Sequence, residues 1–89
     1  MSKNILTIED INNSVITEQY YVFPGTVLTV CALTLQNGFV VTGESAPVSS
    51  ENYDQAIGRK IAKENAVNKI WQLEGYLLKE KLSKEGGTL

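Results

Sequence analysis

The side chains best suited to hold a small anion are gathered in one stretch: Arg59, Lys60, Lys63 and Asn65, with Lys69 further on. A guanidinium is a planar fork that grips phosphate or carboxylate through two bonds, and an ammonium adds a mobile point charge. Tyr53 and Trp71 flank the stretch, and an aromatic ring beside Arg59 is a surface on which a nucleobase can stack. On one helix Arg59, Lys63 and Lys69 are expected to project in different directions. They would then converge on a ligand only where helices of neighbouring subunits meet. The plainer role for the same residues is a solvated face paired with Glu64 or Glu74, with Tyr53 and Trp71 in the core.

Little else could do covalent chemistry. The chain has no His, the commonest general base, and a single Cys. Neither a disulfide framework nor a zinc site can be assembled from that set. Cys31 falls mid-strand with Glu18 and Glu44 as expected neighbours. Carboxylates raise a thiol pKa and no base is at hand, so Cys31 reads as a buried apolar side chain and not a nucleophile. There is no Gly-rich phosphate loop, and Gly86-Gly87 reads as a tail. The expectation is a protein that is not an enzyme, with no metal and no cofactor.

Composition narrows the class further. The 89 residues, 43% of them hydrophobic, make one domain, 1–89, near the lower limit for a self-sufficient core. A chain of this size leaves apolar surface that a monomer cannot cover, so a homo-oligomer is expected. The net charge of −2 and pI near 5.0 argue against non-specific binding to duplex nucleic acid. No apolar run approaches membrane-spanning length and no leader segment is expected, which leaves a reducing compartment without a membrane partner.

The elements that must position these residues follow from pattern and punctuation. Thr7 is a candidate cap for a short turn carrying Ile8 and Ile11, with a lead-in loop as the alternative. SVITEQYYVF (14–23), TVLTVCALTL (26–35) and FVVTGESA (39–46) read as strands, separated by Pro24-Gly25 and Asn37-Gly38 and ended by Pro47. They predict a three-stranded antiparallel meander over 14–46. A two-residue turn at Asn37-Gly38 would pair Thr34 with Val41 and Ala32 with Gly43. A two-residue turn at Pro24-Gly25 would pair Tyr21 with Leu28. One face would then carry Tyr21, Phe23, Val30, Ala32, Val41 and Gly43 as the bed for a helix. The other, with Tyr20, Cys31, Leu33, Leu35 and Val40, would be a subunit interface or a partly solvated back.

A long helical region is predicted over 50–83, capped by Ser49 or Ser50, with Glu51 and Asp54 in its first turn. Tyr53, Ile57, Ile61 and Trp71 fall within about 80° of one another. Ala62, Ala66, Ile70, Leu73 and Leu77 take roughly the opposite side. Such a helix is covered on two sides, or bends near Gly75 and changes partner. Gly58, which costs about 1 kcal/mol against Ala in a helix, predicts a close approach, with Gly43 and Ala32 as the expected neighbours. The fold class is α+β.

From Val22 to Leu82 the chain closely resembles a family of small tailed-phage proteins, the gene forty-nine/gene sixty-six family. The residues that carry the likeness are VFPGTVLTVCALTLQNGFVVTGESA (22–46), IGRKIAKENAVNKIW (57–71) and LEGYLLKEKL (73–82). In that family the position after Trp71 is often Pro; here it is Gln72, which leaves the continuity of the helix open. The resemblance implies a phage protein acting in the host cytoplasm, and brings no catalytic residues. The small sheet with an oligomerising helix also looks like the architecture of phage anti-defence sponges, which sequester nucleotide signals of bacterial immunity. The expected function is a non-enzymatic homo-oligomer that binds such a signal through Arg59, Lys60, Lys63, Asn65, Tyr53 and Trp71. The alternatives are a protein–protein effector that inhibits a host enzyme, or a minor structural phage protein.

Overall fold

Local chemistry makes the first element of the described residues a short helix. The Thr7 side chain accepts from the Asp10 N–H at 3.2 Å while the Asp10 carboxylate accepts from the Thr7 N–H at 2.9 Å, a reciprocal capping box. It opens α1 (Ile8–Asn13), and the fully buried Ile11 pins that turn to the core. The structure is a computed structural model that describes residues 5–48, 51 and 53–86. After α1 come β1 (Val15–Val22), β2 (Thr29–Leu35), β3 (Val40–Ser45) and α2 (Gln55–Lys84). The strands form one antiparallel sheet in the order β1-β2-β3, and the long helix lies across it. The expected α+β meander with a C-terminal helix is the observed architecture.

Its register is not the expected one. Leu35 N–H donates to the Phe39 carbonyl at 2.8 Å, and Gly38 N–H to the Leu35 carbonyl at 2.9 Å. The β2–β3 loop is therefore Gln36-Asn37-Gly38, one residue longer than a tight Asn-Gly turn, with Gly38 at φ 88°. Cys31 then faces Gly43 and Thr34 faces Val40, so every β3 side chain sits on the opposite side from that expected. The β1–β2 loop is also longer, closed by Phe23 N–H to the Leu28 carbonyl at 3.1 Å. Tyr21 faces Val30 instead of Leu28, a two-residue shift that leaves the faces unchanged.

The corrected register decides which face the helix takes. It covers Cys31, Leu33 and Leu35 with Val41 and Gly43, the side expected to be an interface or a solvated back. Tyr21, Val30 and Ala32 line the open face, to which the new register also sends Val40 and Glu44. The α2 residues on the sheet are Gly58, Ala62, Ala66 and Ile70, four apart and all buried. Gly43 explains the choice: a Cβ there would run into the α2 backbone at Ala62, Asn65 and Ala66. Gly58, by contrast, approaches Thr29 and Tyr53, not the expected Gly43 and Ala32.

α2 starts later than expected. Asp54 is its N-cap, accepting from the Ala56 and Ile57 N–H groups at 2.9 and 3.4 Å. The expected caps Ser49 and Ser50 lie outside the described residues. The helix runs unbroken through Gly75 to Lys84, and Gly86 follows at φ 83°. Ile57 and Ile61 line an open cleft against 44–47, at the end of β3, and stay exposed. Of the apolar side read from the sequence as Tyr53, Ile57, Ile61 and Trp71, only Ile57 and Ile61 stay exposed in the protomer, while Tyr53 and Trp71 are half-buried.

Two glycine substitutions test this packing in opposite directions. Gly43→Ala forces helix and sheet apart and is expected to cost about 3 kcal/mol in urea unfolding. Gly75→Ala, where a Cβ meets nothing within 4 Å, is expected to stabilise by about 0.5–1 kcal/mol.

Candidate functional site

β1 is an edge strand, and its alternation sends Glu18 and Tyr20 to the covered side, beneath one flank of α2. Lys63 and Arg59, one helical turn apart, come down on them. Lys63 Nζ lies 3.0 Å from Glu18 Oε1, and the Arg59 guanidinium sits 5.5 Å from the centre of the Tyr20 ring. The Tyr20 hydroxyl donates to Glu18 Oε2 at 2.7 Å. Beneath them Cys31 is fully buried.

Glu18, Tyr20 and Cys31 are each shifted by their surroundings. The Tyr20 hydrogen bond, with Lys63 next, holds the Glu18 carboxyl below its ordinary value. Burial, with the bond to Glu18 added, pushes the Tyr20 hydroxyl well above its ordinary range, so it stays a donor. Burial also raises the Cys31 thiol, and the Glu18 charge adds to that. A protonated, enclosed thiol is a poor nucleophile. Glu44, expected as its second carboxylate neighbour, is on the far side of the sheet.

Beside this cluster α1 and α2 leave an open groove of about 360 Å³. Its walls are Ile8 and Asn12 from α1 and Lys60, Lys63, Glu64, Val67 and Asn68 from α2, so one carboxylate stands among the cations. Arg59, Lys60 and Lys63 thus share one flank of the helix, where Arg59 and Lys63 had been expected to diverge. The remaining candidates go elsewhere. Asn65 is on the opposite flank, donating through Nδ2 to the Glu44 carbonyl at 2.8 Å on the free edge of β3. Tyr53 precedes the helix, its hydroxyl 3.5 Å from Thr29 Oγ1. Trp71 packs half-buried against the core, the plainer of its two roles. Sequence reasoning passed over Tyr20, Asn12 and Asn68; the two-residue spacing of Glu18 and Tyr20 on a strand was the available signal for the first.

A model of the phage protein (N4 Gp49/phage Sf6 gene 66) family matches residues 6–82. The chain belongs to this family. The matched span takes in the whole sheet, α1 and α2 as far as Leu82, so the groove is built entirely within it. No curated protein and no solved structure matches the chain. Among the described residues of this phage family member, no group of three or more His, Cys, Asp or Glu could hold a metal ion. None of their helices is long and apolar enough to cross a membrane.

The Glu18 cluster predicts a pH dependence. Its folded pKa lies below the ordinary 4.5, so its contribution is present above that pH and lost as pH falls through the depressed value. The side chains of Lys63 and Glu18 are 44% and 40% exposed, which screens the pair to about 0.5 kcal/mol. Glu18→Gln is expected to lose that much in urea unfolding at neutral pH. The difference from wild type should shrink as pH falls through the depressed value and vanish once Glu18 is protonated in both the folded and the unfolded state.

Proposed function

We propose that this phage protein is a non-enzymatic, homo-oligomeric binder that sequesters a small anionic host signal of nucleotide class, an anti-defence role exercised in the host cytoplasm. The observation that carries the reading is the alignment of Arg59, Lys60 and Lys63 along one flank of α2, above the groove against α1. Cations at the mouth suit phosphate, the Asn12 and Asn68 amides suit a base edge or ribose, and Ile8 and Val67 suit a base face. Arg59 and Lys63 already have partners in Tyr20 and Glu18, whereas Lys60 has no ion pair among the described residues. Lys60 is therefore the cation most available to a ligand. The net charge of −2 disfavours a polyanion such as duplex DNA and leaves a compact anion as the better match.

Isothermal titration against cyclic di- and trinucleotides and ADP-ribose derivatives tests this. The expected result is saturable binding to at least one of them, weakened about tenfold or more by Lys60→Glu with the fold intact, because an attracting charge becomes a repelling one. No heat from any of them on a folded protein overturns the reading.

A second reading, an effector that inhibits a host enzyme, is favoured by the open sheet face. There Tyr21 and Phe23 stack edge to face at 4.9 Å while remaining 55% and 44% exposed. It predicts capture of one host enzyme, lost on Val40→Asp and unaffected by Arg59→Ala. Leu33, expected from sequence to share a face with Val40, is fully buried under α2 and a substitution there reports on the core instead. A structural role in the particle would be revealed by the protein in purified virions.

A further inference from the structure

α2 outlasts the sheet it packs on. Its 30 residues span about 45 Å, whereas a strand of eight residues covers about 26 Å. The stripe on the sheet at Ala62, Ala66 and Ile70 continues as Leu73 and Leu77 beyond the β2–β3 turn. There Leu73, Tyr76, Leu77 and Phe39 gather around a groove of about 250 Å³. They stay 42%, 71%, 62% and 55% exposed, in that order.

The molecule carries the surplus surface this implies. Its accessible area is 6408 Å², against about 5,200 Å² for a compact monomer of 9.8 kDa. The radius of gyration is 16.2 Å, where a compact chain of this length has about 12 Å.

We propose that the projecting end of α2, with Phe39 beside it, is the interface of a twofold dimer of this chain, the two helix ends packed antiparallel. Each end then occupies the step beyond the other's sheet. Charge favours a second copy over another protein. Glu74 and Lys81 are one heptad apart, within about 20° of each other around the helix, so they share a flank. When identical helices pair antiparallel about a twofold axis, that flank meets itself. An axis beside Leu77 sets Glu74 against the partner's Lys81, twice. The patch is thus complementary to itself in charge as well as apolar. The proposal rests on the proposed function only for self-assembly, not for any ligand.

Sedimentation velocity of the full chain at micromolar concentrations tests it. The expected species has twice the 9.8 kDa protomer mass, or a multiple of that. Leu77→Asp is expected to abolish the pairing, halving the mass, while the protomer keeps its sheet, most of its helical circular dichroism and a cooperative unfolding transition. Glu74→Lys should weaken association about tenfold, and Glu74→Lys with Lys81→Glu should restore it. A monomer at every concentration overturns the proposal, as does a dimer that survives Leu77→Asp but is lost on Tyr21→Asp in the open sheet face. A dimer that binds no nucleotide overturns the ligand reading alone, and a monomer that binds one overturns the dimer alone.

Discussion

The structure depends on a missing side chain. Gly43 lets the α2 backbone come down on β3 at Ala62 and Ala66, a separation that no residue with a Cβ would permit. Because proteins pack at crystal-like density, this one contact fixes the height and axial position of the helix over the sheet. The rest of the helix follows from it. Ile70 reaches the core, Arg59 and Lys63 overhang β1, and Asn65 reaches the free edge of β3 to satisfy the Glu44 carbonyl. Small residues at Gly58, Ala62 and Ala66 bring little apolar area of their own. Their contribution is the close fit they allow around Leu33 and Cys31.

Much of this is legible in the sequence. Three strands, their antiparallel order, the Thr7 cap and one long helix follow from punctuation and periodicity. The faces did not, and the reason is specific. β2 is apolar on both sides, so pattern alone offers no preference, and the choice falls to the neighbouring strand. That strand was misregistered because Asn37-Gly38 serves equally as a two-residue turn or as the end of a three-residue loop; Gly38 takes positive φ in both. One residue of slip moved Gly43 from beside Ala32 to beside Cys31, and the helix moved with it. At the site, the four-residue spacing of Arg59 and Lys63 already implied a shared flank. The six-residue spacing of Arg59 and Asn65 likewise implies opposite flanks, whereas the partners of Tyr53 and Trp71 depend on where the sheet falls, which no local pattern contains.

The polar cluster under that flank also shapes how an anion would sit in the proposed site. Glu18 is held ionised by Tyr20 and Lys63 and would repel a phosphate placed near the Tyr20 side. Lys60, on the α1 side of the groove, is further from Glu18, and there Glu64 is the carboxylate that a phosphate would have to avoid. The Lys63–Glu18 pair is exposed enough that giving it up costs under about 1 kcal/mol, less than a charge-assisted bond to phosphate returns. The cluster therefore biases a ligand towards α1 without closing the flank to it, and it keeps the free protein's cations oriented.

The projecting end of α2 follows from the same helix–sheet contact. Once Gly43 sets the helix in place, its last turns have no sheet beneath them. Isolated helical segments of that length are marginal in water. Here the local support is the Lys84–Glu80 pair at 3.9 Å and the basic Lys81 and Lys84 at the negative end of the helix dipole. Neither accounts for Leu73, Tyr76 and Leu77, which are among the most costly residues to leave in water. In a dimer through these residues, burial would stabilise both the association and the last turns themselves. Helix order at the C-terminus and dimerisation would then be linked, each strengthening with the other.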